Sequence, residues 1–94
     1  MIVAVDIGNS NIVIGGIRGN RILFEARLRT DSTKTSDEYA IDLKMIFDIY
    51  HLELAQIEGS IIASVVPQVL NSVKTALRKL TGKVSLVVGP GVKT

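Results

Sequence analysis

The segment from residue 6 to residue 11 combines residue types that could hold a metal-bound phosphate. A carboxylate, a glycine and two asparagines follow one another in Asp6-Ile7-Gly8-Asn9-Ser10-Asn11. Glycine lets the backbone turn and come close to a ligand, and successive N–H groups in such a turn can converge on anionic oxygens. Asp6 would repel a phosphate that it touched directly. Its presence therefore predicts a bridging cation at Asp6, for which Mg²⁺ with retained waters is the best candidate.

Two apolar stretches must position this turn. Residues 2–7 and 11–17 are short runs rich in Ile and Val, which predict two strands joined by the turn. The predicted phosphate-binding segment extends into the second strand and comprises Asp6, Ile7, Gly8, Asn9, Ser10, Asn11, Ile12 and Val13. Gly, Asn, Asp and Ser are also the usual residues of ordinary hairpin turns. Taken alone, the segment is compatible with either interpretation.

A third strand is predicted over residues 21–29, after the tight-turn dipeptide Gly19-Asn20. Its residues alternate, with Ile22, Phe24, Ala26 and Leu28 on one face, as in a half-exposed strand. Three strands joined by two short turns predict an antiparallel meander.

Helices and strands alternate in the rest of the chain. Thr35 and Glu38 fit a capping box, so a helix is expected to begin there. Two apolar stripes follow at helical spacing, one of Tyr39, Leu43, Ile46, Phe47 and Tyr50, the other of Ile41, Met45 and Ile49. Residues 51–58 show no clear pattern.

A second helix is expected to begin at Pro67 and end at Gly82. Strands are predicted on either side of it, over residues 60–65 and 84–88. The fold class is therefore α/β, with the meander and the parallel strands in one mixed five-stranded sheet and helices on its faces.

The length and composition of the chain limit the kind of domain that it can form. A chain of 94 residues is enough for one domain. Hydrophobic residues make up 47% without a tryptophan, so the core must be aliphatic. The mean hydropathy of +0.36 is high for a small domain and predicts apolar surface left for a partner.

Several classes of function are disfavoured. The net charge is only +2, and the basic residues are scattered without interleaved aromatic residues, which argues against a nucleic-acid partner. There is no cysteine, and the single histidine, His51, has no companion ligand, so neither a disulfide framework nor a thiolate or histidine metal site is expected. No apolar stretch reaches the ~20 residues of a membrane span, and the N-terminus is unlike a signal peptide. We expect a cytoplasmic protein that does not bind a membrane.

Four motifs in this order resemble type III pantothenate kinases, which belong to the acetate-kinase, sugar-kinase, Hsp70 and actin superfamily. They are the segment 6–11, the helix entry Thr35-Ser36-Asp37-Glu38-Tyr39, the segment Ala63-Ser64-Val65-Val66-Pro67 and the ending Gly89-Pro90-Gly91-Val92-Lys93-Thr94. The resemblance implies a ribonuclease H-like (actin-like ATPase) domain, with ATP and Mg²⁺ bound at the segment 6–13. It also implies a monovalent cation, K⁺ or NH₄⁺, at a site outside this chain, and a homodimer.

The resemblance covers only the first of the family's two domains. Residues 1–94 would be that first domain, apparently truncated. The second domain, with the adenosine pocket, is absent, and so is the region of the catalytic aspartate that follows Thr94. No kinase activity is expected of this chain alone. The resemblance also makes Gly89, Pro90 and Gly91 one wall of a pantothenate pocket, although the same residues suit a simple strand exit.

Two alternatives of other kinds stay open. One is a non-catalytic module that associates with itself through an exposed sheet edge and helix faces. The other is a different small-molecule kinase of the same superfamily, such as a sugar or acetate kinase.

Overall fold

The computed structural model describes residues 1–89, and the predicted strands and helices occur there in the predicted order. The elements are β1 (Ile2–Ile7), β2 (Asn11–Arg18), β3 (Arg21–Arg29), α1 (Ser36–Ile49), a 3₁₀ turn (Leu54–Gln56), β4 (Gly59–Ser64), α2 (Pro67–Thr81) and β5 (Leu86–Val88). The fifth strand starts at Leu86, later than predicted, and the hydroxyl of the preceding Ser85 lies 2.6 Å from that of Ser60.

All five strands belong to one mixed sheet, in the order β3-β2-β1-β4-β5. The meander β1-β2-β3 is antiparallel, whereas β4 and β5 continue the sheet in parallel from β1. The predicted fold class is therefore confirmed. The carboxyl ends of β1 and β4 consequently lie side by side, which in α/β sheets is where ligands usually bind.

Local signals in the sequence set the helix ends. Before α1, the N–H of Glu38 donates to the Thr35 hydroxyl at 3.1 Å and the Thr35 N–H donates to the Glu38 carboxylate at 3.0 Å, which completes the predicted capping box. Helix α2 starts with Pro67 and ends at Gly82, whose φ of 74° is accessible to glycine at little cost. Neither helix within residues 1–89 is long and apolar enough to cross a membrane.

Both helices pack on the same face of the sheet. One continuous core contains the inward side chains of the strands and the buried faces of α1 and α2, including Val5, Ile14, Phe47, Ile62 and Leu77. The other face is uncovered within residues 1–89. We call it the open face; it carries the side chains of Ile2, Ala4, Asp6, Val13, Ile17, Ile61 and Ala63.

The predicted alternation of β3 is wrong at one position. Phe24, Ala26 and Leu28 pack on the core as expected, but Ile22 is 70% exposed. The pairing of β2 with β3 shifts between Gly16 and Ile17, so that Ile22 lies opposite Ile17 on the open face. A bulge adds one residue to a strand and reverses the faces beyond it, which the pattern of a single strand does not reveal.

The two apolar stripes of α1 have different environments. Tyr39, Leu43, Ile46 and Phe47 are buried, and Tyr50 is partly exposed with its ring 4.9 Å from that of Phe24. The second stripe, Ile41, Met45 and Ile49, is exposed within the part of the chain that the structure describes.

Candidate functional site

The turn between β1 and β2 is a two-residue connection at the carboxyl end of β1. Ile7 and Ile12 form the last strand pair, and the Gly8 N–H donates to the Asn11 carbonyl oxygen at 2.9 Å. Neither Asn9 nor Ser10 has a positive φ angle. Such a turn lacks the left-handed residues of the most favoured hairpins and tends to splay its strands. Something outside the hairpin must therefore hold it.

Thr30, at the end of β3, supplies this support. Its hydroxyl donates to the Gly8 carbonyl oxygen at 2.7 Å, and its N–H donates to the Ser10 carbonyl oxygen at 3.0 Å. The next residue is also fixed, because the Tyr39 hydroxyl bonds both the N–H and the carbonyl oxygen of Asp31, at 2.9 and 2.8 Å. The turn is thus fastened through Thr30 and Asp31 to the first turn of α1. No local pattern in the sequence marks Thr30 as part of the site.

The carboxylate of Asp31 belongs to this supporting loop. The hydroxyl and N–H of Thr33 both donate to it, and the hydroxyl bond is the main cause that lowers the pKa of Asp31 below its usual value. The carboxylate therefore keeps its charge at neutral pH.

The outer side of the turn is rich in unused hydrogen-bond donors. Within residues 1–89, the N–H groups of Asn9 and Ser10 have no protein partner. The side chains of Asn9, Ser10 and Asn11 are exposed. The side chains of Ile7 and Ile12, in contrast, are buried in the core and anchor the turn. The predicted segment therefore divides into exposed residues of the turn and buried residues that anchor its backbone.

Asp6 lies on the open face, one residue pair before the turn, and its carboxylate is exposed. It lines a depression of about 270 Å³ together with Ala63, Ser64, Val65, Val88 and Gly89. The exit of β4 is held in place there, because the Val65 N–H donates to the Ile7 carbonyl oxygen at 3.1 Å and the Val66 N–H donates to the Ser64 hydroxyl at 2.9 Å.

This depression unites three motifs that are far apart in the sequence. The parallel pairing of β1, β4 and β5 brings together Asp6 of the first motif, residues 63–65 of the second and Gly89 of the third. Pro90 and Gly91, the other predicted pocket residues, lie outside the described residues.

Asp6 is the carboxylate of this site that could contact a metal ion. No group of three or more metal-ligating side chains occurs within residues 1–89. Asp6 alone fits a hard cation that keeps waters and phosphate oxygens as most of its ligands, which is the usual behaviour of Mg²⁺.

Positive charge lies on the same side of the sheet. Arg27 is paired with Val13, which is paired with Asp6, and Arg29 is paired with Asn11 at the turn itself. Because partners in register share a face, both arginines belong to the open face with Asp6. Their place beside the turn depends on the bulged register of β3, which the sequence pattern does not reveal.

Solved structures with similar folds support the fold assignment. The ROK hexokinase from Thermus thermophilus aligns with 94% of this chain and 34% of its own, at a TM-score of 0.68 and 14% identity. RuvC from Thermus thermophilus aligns with 95% of this chain and 61% of its own, at a TM-score of 0.59 and 15% identity. These similarities confirm the predicted ribonuclease H-like fold.

Relatives found by sequence similarity identify the family of this chain more specifically than the similar folds do. Proteins named type III pantothenate kinase, from an Exiguobacterium species and from Bifidobacterium longum subsp. infantis, are 42% and 44% identical over all 94 residues. The chain spans 37% of the length of each, or about a third of these relatives. The family model of type III pantothenate kinase matches residues 2–94. The chain therefore belongs to the type III pantothenate kinase family.

Proposed function

We propose that this chain is the phosphate-binding first domain of an ATP-dependent kinase that phosphorylates pantothenate to 4'-phosphopantothenate, the first step of coenzyme A biosynthesis. The observation that carries the proposal is the turn at residues 8–11. It presents N–H groups that have no protein partner within residues 1–89, and exposed amide side chains, close in sequence to the exposed carboxylate of Asp6. Its place at the carboxyl ends of parallel strands is where such a fold binds ligands.

The residues of this chain would act by binding and positioning. The N–H groups of Asn9 and Ser10 would donate to oxygens of the β- and γ-phosphates, with the side chains of Asn9 and Asn11 beside them. Asp6 would hold the waters of a Mg²⁺ ion, and a bound Mg²⁺ supplies neutralisation of phosphate charge. Arg29, beside Asn11, adds positive charge at the same place. Phosphoryl transfer depends mainly on such positioning and charge stabilisation.

The acceptor hydroxyl needs a base that these residues do not offer. Asp6 is assigned to the metal, and the described residues that line the depression beside it include no second carboxylate and no histidine. We therefore propose that the chain binds nucleotide weakly and transfers no phosphate by itself. Gly89, Pro90 and Gly91 would form one wall of the pantothenate pocket, completed by a second domain that also holds the adenosine and the monovalent cation.

The assembly and compartment belong to the same proposal. We expect the complete protein to be a homodimer in the cytoplasm, as the family resemblance implies. The exposed apolar side chains Ile41, Met45 and Ile49 on α1 are consistent with further contacts.

Thermal denaturation with nucleotide tests the proposal. A ligand that binds only the folded chain must raise its melting temperature, and 10 mM Mg·ATP with a Kd of about 1 mM would raise it by several degrees in a domain of this size. The increase should disappear with EDTA and in Asp6→Asn. Glu25→Gln, which removes another exposed carboxylate of the same sheet face, should keep it. An increase that is equal in Asp6→Asn would contradict the proposal.

The open face favours a second candidate, a non-catalytic module that associates with itself. This face has a depression of about 400 Å³ lined mainly by apolar residues, among them Val13, Ile17, Ile22 and Ile61. Sedimentation velocity together with thermal denaturation separates the two functions, because only the kinase domain should respond to Mg·ATP. A module would form dimers as concentration rises and would show no change in melting temperature with Mg·ATP.

A further inference from the structure

A polar cleft, separate from the two depressions described above, lies on the outer side of α2. Asn71, Lys74, Thr75 and Arg78 line it, and Val84 closes it from the segment that leads into β5. The four helical residues are spaced i, i+3, i+4 and i+7, so they share one face of the helix. The cleft has a volume of about 340 Å³, at the lower end of the range for small-ligand sites.

Lys74 differs from the other lysines of the described residues. Each of those has a partner for its ammonium group: Lys34 has Asp42, Lys44 has Asp48, Lys79 has Asp37, and Lys83 has the Ile57 carbonyl oxygen. Lys74 is half-buried on the wall of the cleft, and within residues 1–89 it has no hydrogen-bond or ion-pair partner. Partial burial of a cation without a counterion costs free energy, which a bound anion would reduce.

The chain has no acidic residue nearby in sequence to complete it. All nine acidic residues occur at or before Glu58, whereas Lys74, Arg78, Lys79, Lys83 and Lys93 follow. Like charges four residues apart, such as Lys74 and Arg78, also weaken a helix slightly. The structure therefore retains two neighbouring cations that an anion from solution would stabilise.

We infer that this cleft binds a small phosphorylated anion. Arg78 offers a planar guanidinium suited to two phosphate oxygens, and Lys74 offers a point charge one helical turn away. Asn71 and Thr75 add an amide and a hydroxyl donor on the same helix face. The cleft is short and the basic residues form no extended track, so a single mono- or diphosphate group fits better than a nucleic-acid strand.

This cleft is distinct from the turn at residues 8–11. Helix α2 begins after the carboxyl end of β4, beside the turn, and as a crossover between parallel strands it runs back along the sheet. Its last turns and Val84 therefore lie toward the opposite end of the sheet from Asp6. Ligand binding at one site can therefore be observed separately from ligand binding at the other.

A titration of the ¹⁵N-labelled 94-residue chain with sodium pyrophosphate, without divalent metal, tests the inference. Amide signals of residues 71–78 and of Val84 should shift in a saturable manner at millimolar concentration. Glycerol 1-phosphate should reproduce the shifts more weakly, and sodium chloride at the same ionic strength should not. In the double variant Lys74→Gln/Arg78→Gln the affinity should fall about tenfold or more.

A matched double variant, Lys44→Gln/Arg21→Gln, removes the same charge elsewhere on the surface and should bind as the wild type does. Circular dichroism verifies that both double variants are folded. If one of them is not folded, the location of the shifts in the wild-type chain still tests whether the cleft binds the anion. Three outcomes would overturn the inference: shifts that never saturate, equal affinity in both double variants, or shifts confined to residues 8–11.

Discussion

The hydroxyl of Thr30 donates a 2.7 Å hydrogen bond to the carbonyl oxygen of Gly8, so the end of β3 holds the turn between β1 and β2. The Thr30 N–H holds the Ser10 carbonyl oxygen in the same way, at 3.0 Å. The inner carbonyls of the turn are thus occupied while the N–H groups of Asn9 and Ser10 point to no protein acceptor within residues 1–89. The protein itself thus holds the turn in place, as the proposed phosphate site requires.

Thr30→Val should therefore weaken nucleotide binding through a residue that need not touch the nucleotide. Valine keeps the shape of threonine but cannot donate to Gly8. We expect a loss of about 1 kcal/mol in the free energy of unfolding, and a two- to tenfold loss, roughly, in affinity for Mg·ATP. Thr30→Ser retains the hydroxyl and should retain most of the affinity. Calorimetric titration measures both, and equal affinity in Thr30→Val and wild type would refute a role for this bond.

The strands and helices were predictable because each is encoded by nearby residues. The capping box at Thr35 and Glu38, Pro67 at the start of α2 and Gly82 at its end are local signals, and the structure follows them. The exposure of Ile22 was not predictable, because the bulge depends on how β2 pairs with β3. Which face of the sheet the helices cover likewise depends on the packing of α1 against α2.

The candidate site was predictable only in part, for the same reason. Asp6 and the turn residues are contiguous, so the sequence could propose them together as one phosphate-binding segment. Thr30 lies 22 residues from Gly8 in sequence, and no local pattern links them. The proximity of Gly89 to Asp6 results from the parallel pairing of β1, β4 and β5. Arg29 joins the site only through its pairing with Asn11.

Substitution by alanine should have very different effects on stability at Gly15 and Gly16, two adjacent glycines of β2. A Cβ atom on Gly16 would lie 2.5 Å from Cε1 of Phe24 and 2.9 Å from Sδ of Met1, inside the core. Gly16→Ala should lower the free energy of unfolding by about 1–3 kcal/mol through overpacking. At Gly15 the nearest atom is the Phe24 carbonyl oxygen at 3.5 Å, an ordinary contact.

Gly15→Ala is accordingly the control, and it should be neutral or stabilising by up to about 1 kcal/mol, since alanine loses less entropy than glycine in a strand. Urea denaturation gives both values. Equal destabilisation by the two substitutions would show that Phe24 does not pack against β2 as described.

The N-terminal ammonium group gives the chain a pH-dependent contact. It donates to the Glu58 carboxylate at 2.9 Å and to the Gln56 carbonyl oxygen at 3.1 Å. The hydrogen bond from this ammonium lowers the pKa of Glu58 below its usual 4.5. A lowered pKa in the folded state means that the contact stabilises the fold above pH 4.5 and that the stabilisation is lost as the pH falls through the folded-state pKa.

Glu58→Gln should therefore reduce the melting temperature at pH 7, and the difference from the wild type should shrink as the pH falls below about 4.5. Glu25→Gln, which alters an exposed carboxylate without an ion pair in residues 1–89, should show no such dependence. The comparison needs protein with an unmodified N-terminus. A difference that persists unchanged into strong acid would contradict the contact.

The role of the turn in nucleotide binding is tested most directly by ¹⁵N–¹H spectra of the chain during titration with Mg·ATP. The account predicts that the amide signals of Asn9 and Ser10 shift most, in a saturable manner, and that Asp6→Asn abolishes these shifts while leaving the rest of the spectrum intact. If the largest shifts lie away from residues 6–13, or if Asp6→Asn binds Mg·ATP as the wild type does, the turn is not the phosphate site.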